Sequence, residues 1–180
     1  EALEAARVFS GGEKGRCRMA RMMLSGADAL VLDEPTNHLD LEGITAVTTL
    51  SSQEKLFTIE LPHDLHLGHE PGQFVEVSIL GVGEAPISIT SSPSRSNGSF
   101  ELCIRKVGDL TNVIHNMNRG DIIGIRGPFG RGFPVERFRG KDILFVCGGL
   151  GMAPLRSLVN ELLDDRGNYG RIILLYGARN

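Results

Sequence analysis

The sequence predicts a two-part fold: a small antiparallel Greek-key β barrel, then a short parallel α/β sheet of the nucleotide-binding kind. Three observations carry this. Short β-branched runs punctuated by Pro, Gly, Ser and Asn recur between residues 57 and 126, the signature of a small barrel. Lys141 to Leu163 reads as an apolar strand, a glycine turn and an amphipathic helix, and a second apolar strand, RIILLYGAR, follows. Ahead of both, residues 12–50 read as helix, strand and helix. The expected domain boundaries are 1–50, 51–138 and 139–180.

Composition limits the function. A chain of 180 residues with 41% apolar content can bury a core. Its formal charge of -3 gives no overall pull towards nucleic acid, and the local run Lys14, Arg16, Arg18 and Arg21 reads as a solvated helix face. Cys17, Cys103 and Cys147 form no C-x-x-C pattern, so neither a disulfide framework nor a metal or iron–sulfur site is expected. A reducing, cytoplasmic setting follows. The apolar-rich run Ile143 to Leu155 is too short to span a bilayer, no signal peptide is visible, and a start at Glu1 reads as the edge of a processed segment.

Within the barrel, strands are expected near Phe57–Leu61, Phe74–Ile79, Ile87–Ser91, Phe100–Arg105 and Ile122–Arg126. A short helix interrupts them between Gly108 and Asn118. Its N-terminus offers free N–H groups to a pyrophosphate, and Thr111 adds a hydroxyl, although helix capping uses the same atom. GPFGRGFP, residues 127–134, places glycines between strands so that backbone can approach a flat ligand, with Phe129 and Phe133 as possible walls and a plain flexible connector as the alternative.

In the last part, Leu155, Leu158, Val159, Leu162 and Leu163 repeat at helical spacing after the strand and turn. Gly148, Gly149 and Gly151 lead into Ala153 and Pro154, and Pro fits a first helical turn because its missing N–H costs nothing there. A dinucleotide at the carboxyl end of such a strand is what the general α/β rule predicts. Cys147 reads as a small buried strand residue. Arg179, beyond Gly177, is a plausible phosphate contact. Two parallel strands alone leave a sheet face and an edge uncovered.

The N-terminal stretch carries a different signature. LVLDEPTNHLD joins an apolar strand to Asp33 and Glu34, as a nucleoside triphosphatase does, but no G-x-x-x-x-G-K-[ST] cradle is present. From Phe9 to about Val47 the chain resembles the ABC ATPases of the soluble, translation-associated branch, on FSGGEKGR, ALVLDE and HLD. The resemblance implies that Ser10, Gly11 and Gly12 meet a phosphate held by a partner's P-loop, with Asp33 on magnesium and Glu34 as general base. A structural reading stands beside it: Ser10 caps a helix over 12–25, Ala29–Leu32 is a buried strand and Asp40 caps a helix to Leu50. That strand is expected to dock on the C-terminal sheet and complete it, which would make the chain a chimera. His63, thirty residues past Asp33, reads as a surface-loop histidine.

From about Glu54 to Asn180 the chain resembles the ferredoxin–NADP reductase superfamily, on PGQFVEVSI, GEAPISITSSP, FELCIRKVGDLTNVI, GDIIGIRGPFGRGFP, FVCGGLGMAPLRSL and LLYGARN in that order. It is most similar to the electron-transfer subunits of dihydroorotate dehydrogenase, sulfhydrogenase and anaerobic sulfite reductase. The resemblance implies FAD on the barrel, NAD(P)H at the glycine turn and an iron–sulfur partner as acceptor. It places Pro86, Ile87 and Ser88 at the flavin, with Ser88 as the candidate catalytic side chain near the reactive nitrogen. Ile104, Arg105, Gly108, Leu110 and Thr111 follow along the cofactor, then Gly127 and Phe129. The dinucleotide would lie on Gly148, Gly149, Gly151, Met152, Ala153, Pro154, Gly177 and Arg179. Ala85 stands where the family carries an arginine for the FAD phosphates, and Arg105 or Lys106 are the substitutes within reach. Two rival readings are a non-catalytic scaffold and an ATP-binding module acting in trans.

Overall fold

A computed structural model describes residues 40–61 and 66–178. Ser10, Gly11, Gly12, Asp33, Glu34, the strand expected at 29–32, His63 and Arg179 lie outside the described residues.

The barrel begins earlier than residue 51. Asp40–Thr49, expected as a helix, is strand β1. Its sequence explains the correction, because five of the six residues 44–49 are β-branched, which disfavours helix and suits a pleated surface. The tail of the ABC-like stretch, residues 40–47, is therefore barrel strand. β1 turns at Ser51, whose hydroxyl accepts from Gln53 N (3.0 Å), and pairs antiparallel with β2, Glu54–Glu60, across a bulge between Ile44 and Ala46. β3 is Phe74–Ile79, β4 Gly83–Ser88, β5 Ser99–Arg105 and β6 Ile122–Phe129. β4 starts and stops earlier than the run expected at 87–91, and Gly127 to Phe129 are strand, not connector.

The sheet order is β4-β3-β6-β1-β2-β5, so β4 and β5 are its two edges. Their backbone pairing lies past the end of β4, through the bridge Ile89–Leu102 and the bond from Thr90 N to Glu101 O (2.8 Å). The barrel is closed at one end of this seam and open at the other. Alternation fills the interior with Phe57, Ile59, Val75, Val77, Phe100, Leu102 and Ile104, all essentially inaccessible. Helix α1, Asp109–His115, adds Ile114 to that core. Its C-terminal end is tied down by His115 Nε2 against Ile104 O (2.8 Å) and by Lys55 Nζ donating to His115 O (2.7 Å).

The second unit is β7, Ile143–Gly148, parallel to β8, Ile172–Gly177, with helix α2, Met152–Asp164, between them. Phe145, Leu158, Leu162 and Tyr169 form its core. Leu163, expected on the apolar stripe, is exposed instead. On the sheet face away from α2, Leu144, Val146, Ile173 and Leu175 are 59%, 68%, 46% and 55% exposed.

A polar joint fixes the units together along one face of α2. Ser157 Oγ donates to Ser91 O (2.7 Å), Arg156 pairs with Glu101, and Arg95 pairs with Asp164 (2.5 Å). One apolar contact crosses as well. Phe133 packs with the second core, and its ring lies where a Cβ on Gly72 would stand, 2.5 Å from the ideal position. Phe133 thus bridges the units and does not wall a ligand.

Candidate functional site

The open seam faces the second unit. Because Phe100, Leu102 and Ile104 point inward, the alternate residues Glu101, Cys103 and Arg105 form the outward face of β5. Ile104 therefore offers a ligand no side chain, and its carbonyl is taken by His115. Burial pushes the Cys103 thiol above its ordinary pKa, which keeps it protonated and unreactive at neutral pH.

Ser88 ends β4, half-buried, opposite Phe74 on β3, and Phe74 in turn opposes Phe129 on β6. The two rings lie 5.9 Å apart. Ser88 thus sits at the end of a row of aromatic surface, with Arg126 5.6 Å over Phe129 and 3.2 Å from Glu84. Ile87 packs against the barrel core, Pro86 is exposed and Ala85 is half-buried opposite Val77. At Gly127, with φ of 143°, a Cβ would press on the β3 backbone, 3.3 Å from Phe74 O, so glycine allows β6 to approach there.

Thr111 is settled by its partners. Its hydroxyl accepts from Val107 N and Gly108 N, each 2.9 Å, and donates to Gly108 O at 3.0 Å. All three hydrogen-bonding capacities are used within the turn, so the hydroxyl has no proton left for a pyrophosphate. Gly108 precedes the helix in extended conformation, and Leu110 packs on the barrel core.

Arg105 approaches the second unit at the glycine turn. Its Nε bonds Glu54 Oε1 at 2.7 Å, and hydrogen bonds from Ser51 and Arg105 hold the Glu54 carboxyl below its ordinary pKa. Its Nη2 reaches the glycine turn, where it lies 3.5 Å from the Cβ position of Gly149. At that turn Gly148 and Gly177 are register partners at the two strand ends. Gly149 has φ of 50°, a left-handed conformation that glycine adopts without strain. Gly151 is exposed, Met152 lies with its sulfur 3.8 Å from Cys147 Sγ, Ala153 is buried and Pro154 stands in the first turn of α2. Cys147, expected buried, is half-buried.

Sequence reasoning missed several of the residues around the glycine turn and the joint. Tyr176 extends its hydroxyl to Gly149 O (3.4 Å), and Arg156 and Ser157 hold α2 to the barrel. Their signal was adjacency alone: all three stand within a few residues of the glycine turn or of its partner Gly177. A cavity of about 180 Å³ beside the joint, lined by residues including Arg95, Glu101, Arg156 and Asn160, contains none of the predicted site residues. Among the described residues no group of three or more His, Cys, Asp or Glu could hold a metal ion, and no helix is long and apolar enough to cross a membrane.

Comparison with known proteins agrees with this fold. The sequence model of the oxidoreductase FAD-binding domain matches residues 42–133. The chain is 49% identical to sulfhydrogenase 2 subunit gamma of Pyrococcus furiosus over 140 residues, which cover 76% of this chain and 48% of that protein. It is 41% identical to a probable dihydroorotate dehydrogenase B electron transfer subunit of Methanothermobacter thermautotrophicus, over 62% of this chain and 40% of that one. The chain thus spans about half the length, or less, of these curated relatives. In fold it matches phthalate dioxygenase reductase with a TM-score of 0.69 at 18% identity, covering 81% of this chain and 46% of that one. It matches a Neisseria gonorrhoeae ferredoxin NADP+ reductase, solved with FAD and NADP, with a TM-score of 0.63 at 24% identity, covering 77% and 57%.

Proposed function

We propose, for a chain that belongs to the oxidoreductase FAD-binding domain family, that it carries electrons from NAD(P)H through FAD to an iron–sulfur partner protein. The observation that supports the reading is the approach of Arg105, on the barrel seam, to the glycine turn, its Nη2 lying 3.5 Å from where a Cβ on Gly149 would stand. On this reading the outward face of β5 and the carboxyl ends of the two parallel strands form opposite walls of one cleft. The residues fit the cofactor: Ser88 and the Phe74–Phe129 pair, tilted 47° to each other, offer an aromatic surface with one polar end, and glycine keeps the opposite wall low.

FAD, when bound, supplies the redox chemistry, taking two electrons from the nicotinamide and releasing them singly. The chain's own residues bind and orient. Ser88 places a hydroxyl at the ring, and Arg105, held by Glu54, puts fixed positive charge in the cleft where a reduced ring or a phosphate gathers negative charge. With Ala85 lacking a guanidinium and the Thr111 hydroxyl committed, phosphate binding falls to backbone N–H groups at the start of α1 and to Arg105. The glycine turn admits the nicotinamide, with Gly148, Gly149, Gly151, Met152, Ala153, Pro154 and Gly177 as its seat. No side-chain acid or base is required. Support for the acceptor comes from the relatives' names as gamma and electron-transfer subunits, and the proposed compartment is the cytoplasm.

The test is colour and reduction. Purified chain supplied with FAD is expected to turn yellow at one flavin per chain, and NADH or NADPH is expected to bleach it anaerobically. A preparation that refuses added FAD overturns the proposal in favour of a non-catalytic interaction fragment.

A further inference from the structure

We propose that Arg156, with Ser157, is a positioning residue that sets the gap between the flavin wall and the nucleotide wall of the cleft; this rests on the function proposed above. Each wall is joined to the Arg156 clamp by a very short span of chain. Ser88 stands two residues before Thr90, and Pro154 stands two residues before Arg156. Arg156 Nη1 donates to Thr90 O (3.4 Å) and pairs with Glu101 Oε2 on β5, while Ser157 Oγ donates to Ser91 O (2.7 Å) in a buried setting. One turn of helix and one β linkage therefore separate the candidate ring-contacting residue from the dinucleotide turn.

The remaining contacts of α2 make Arg156 the end of a stripe. Ser157, Glu161 and Asp164 fall on the helix face that meets the barrel, and Glu161 and Asp164 accept from Ser94 N (3.1 Å) and Ser94 Oγ (2.7 Å). Asp164 also accepts from Arg95 in bidentate fashion, Nε on Oδ2 and Nη2 on Oδ1. These contacts lie two turns further from the glycine turn, so they anchor the helix, whereas Arg156 fixes the end that carries the site. Ser91 gathers the joint, since its carbonyl also takes His69 Nε2 at 3.1 Å.

Magnitude separates a geometric role from a stabilising one. The Arg156–Glu101 side chains are 37% and 27% exposed, and such partly solvated pairs add little to folding stability. Transfer between two bound rings is far more sensitive, because a misplacement of about 1 Å costs on the order of a hundredfold in rate.

The experiment compares wild type with R156Q, R156K, S157A and the exchanged pair E101R/R156E, using whichever of NADH and NADPH reduces the wild type. FAD content and melting temperature are expected to stay near wild type. The limiting rate of flavin reduction is expected to fall about ten- to a hundredfold in R156Q, with nicotinamide affinity within about twofold. R156K, shorter in hydrogen-bonding reach but charged, is expected to fall between, and the exchanged pair, which restores the ion pair but leaves Thr90 O without its donor, to recover part of the loss. In cofactor-free chain, amides of residues 149–153 are expected to exchange with deuterium faster in R156Q. Unchanged limiting rates in R156Q and S157A overturn the inference, as does a loss expressed only as weaker nicotinamide binding. A wild-type chain that takes FAD but is reduced by neither nucleotide overturns the functional reading instead.

Discussion

The two units of this molecule solve the same problem to different degrees. In the barrel, β2 and β5 each turn one face inward, and the side chains they gather with β1, β3 and β6 are buried. In the second unit α2 covers part of one face of a two-stranded sheet, where Leu174 and Tyr176 stay exposed, and Leu144, Val146, Ile173 and Leu175 remain on the other. Alternation alone suffices for a barrel because the sheet curls onto itself. A parallel sheet needs layers on both faces, and the described residues supply one. The barrel is thus the self-sufficient part, and the second unit leans on it through the α2 joint and Phe133.

Core truncations should separate them most widely. Phe100→Ala, with its side chain fully buried in the barrel, is expected to cost about 3–5 kcal/mol and to abolish flavin uptake. Leu162→Ala, equally buried in the second core, is expected to cost about 2–5 kcal/mol while flavin uptake survives. Urea titration with flavin fluorescence distinguishes the outcomes. If both variants lose flavin together, the units are one cooperative body and the contrast is wrong.

The joint itself should respond to pH. Burial lowers the His69 pKa from its ordinary 6.5, so the unfolded chain takes up the proton first. Its contribution to stability is complete above pH 6.5 and declines as pH falls below that value, until the folded-state pKa is passed. Melting temperature is expected to drop between pH 7 and pH 5 in wild type by more than in His69→Asn; parallel curves would remove His69 from the account. Smallest of all, Val146→Ser on the uncovered face is expected to change stability within about 0.5 kcal/mol, yet to raise solubility. A large destabilisation would mean that this face is covered in solution.

Much of the architecture was legible because it is local. β3 appears in the sequence with its observed ends, β5 within one residue, and the glycine turn into α2 at its place. β1 was hidden because its first residues complete a familiar ATPase string, which outweighed the run of β-branched residues after Ile44. The candidate site was half legible. Motif order pointed to Ser88 and to Gly148–Pro154, but whether a hydroxyl is free depends on partners, and Thr111 spends its own on Val107 and Gly108. The bonds from α2 to Thr90 and Ser91 join positions 66 apart in the chain, a separation that no periodicity encodes.

The incomplete pairing of β4 with β5 has a thermodynamic side. Unpaired edge groups invite another strand, which is how sheets aggregate. A flat polar ligand lying along that gap would act as a stopper, shielding the vacant rungs and penalising every conformation that parts the two edges. Occupancy and resistance to self-association would then rise and fall together.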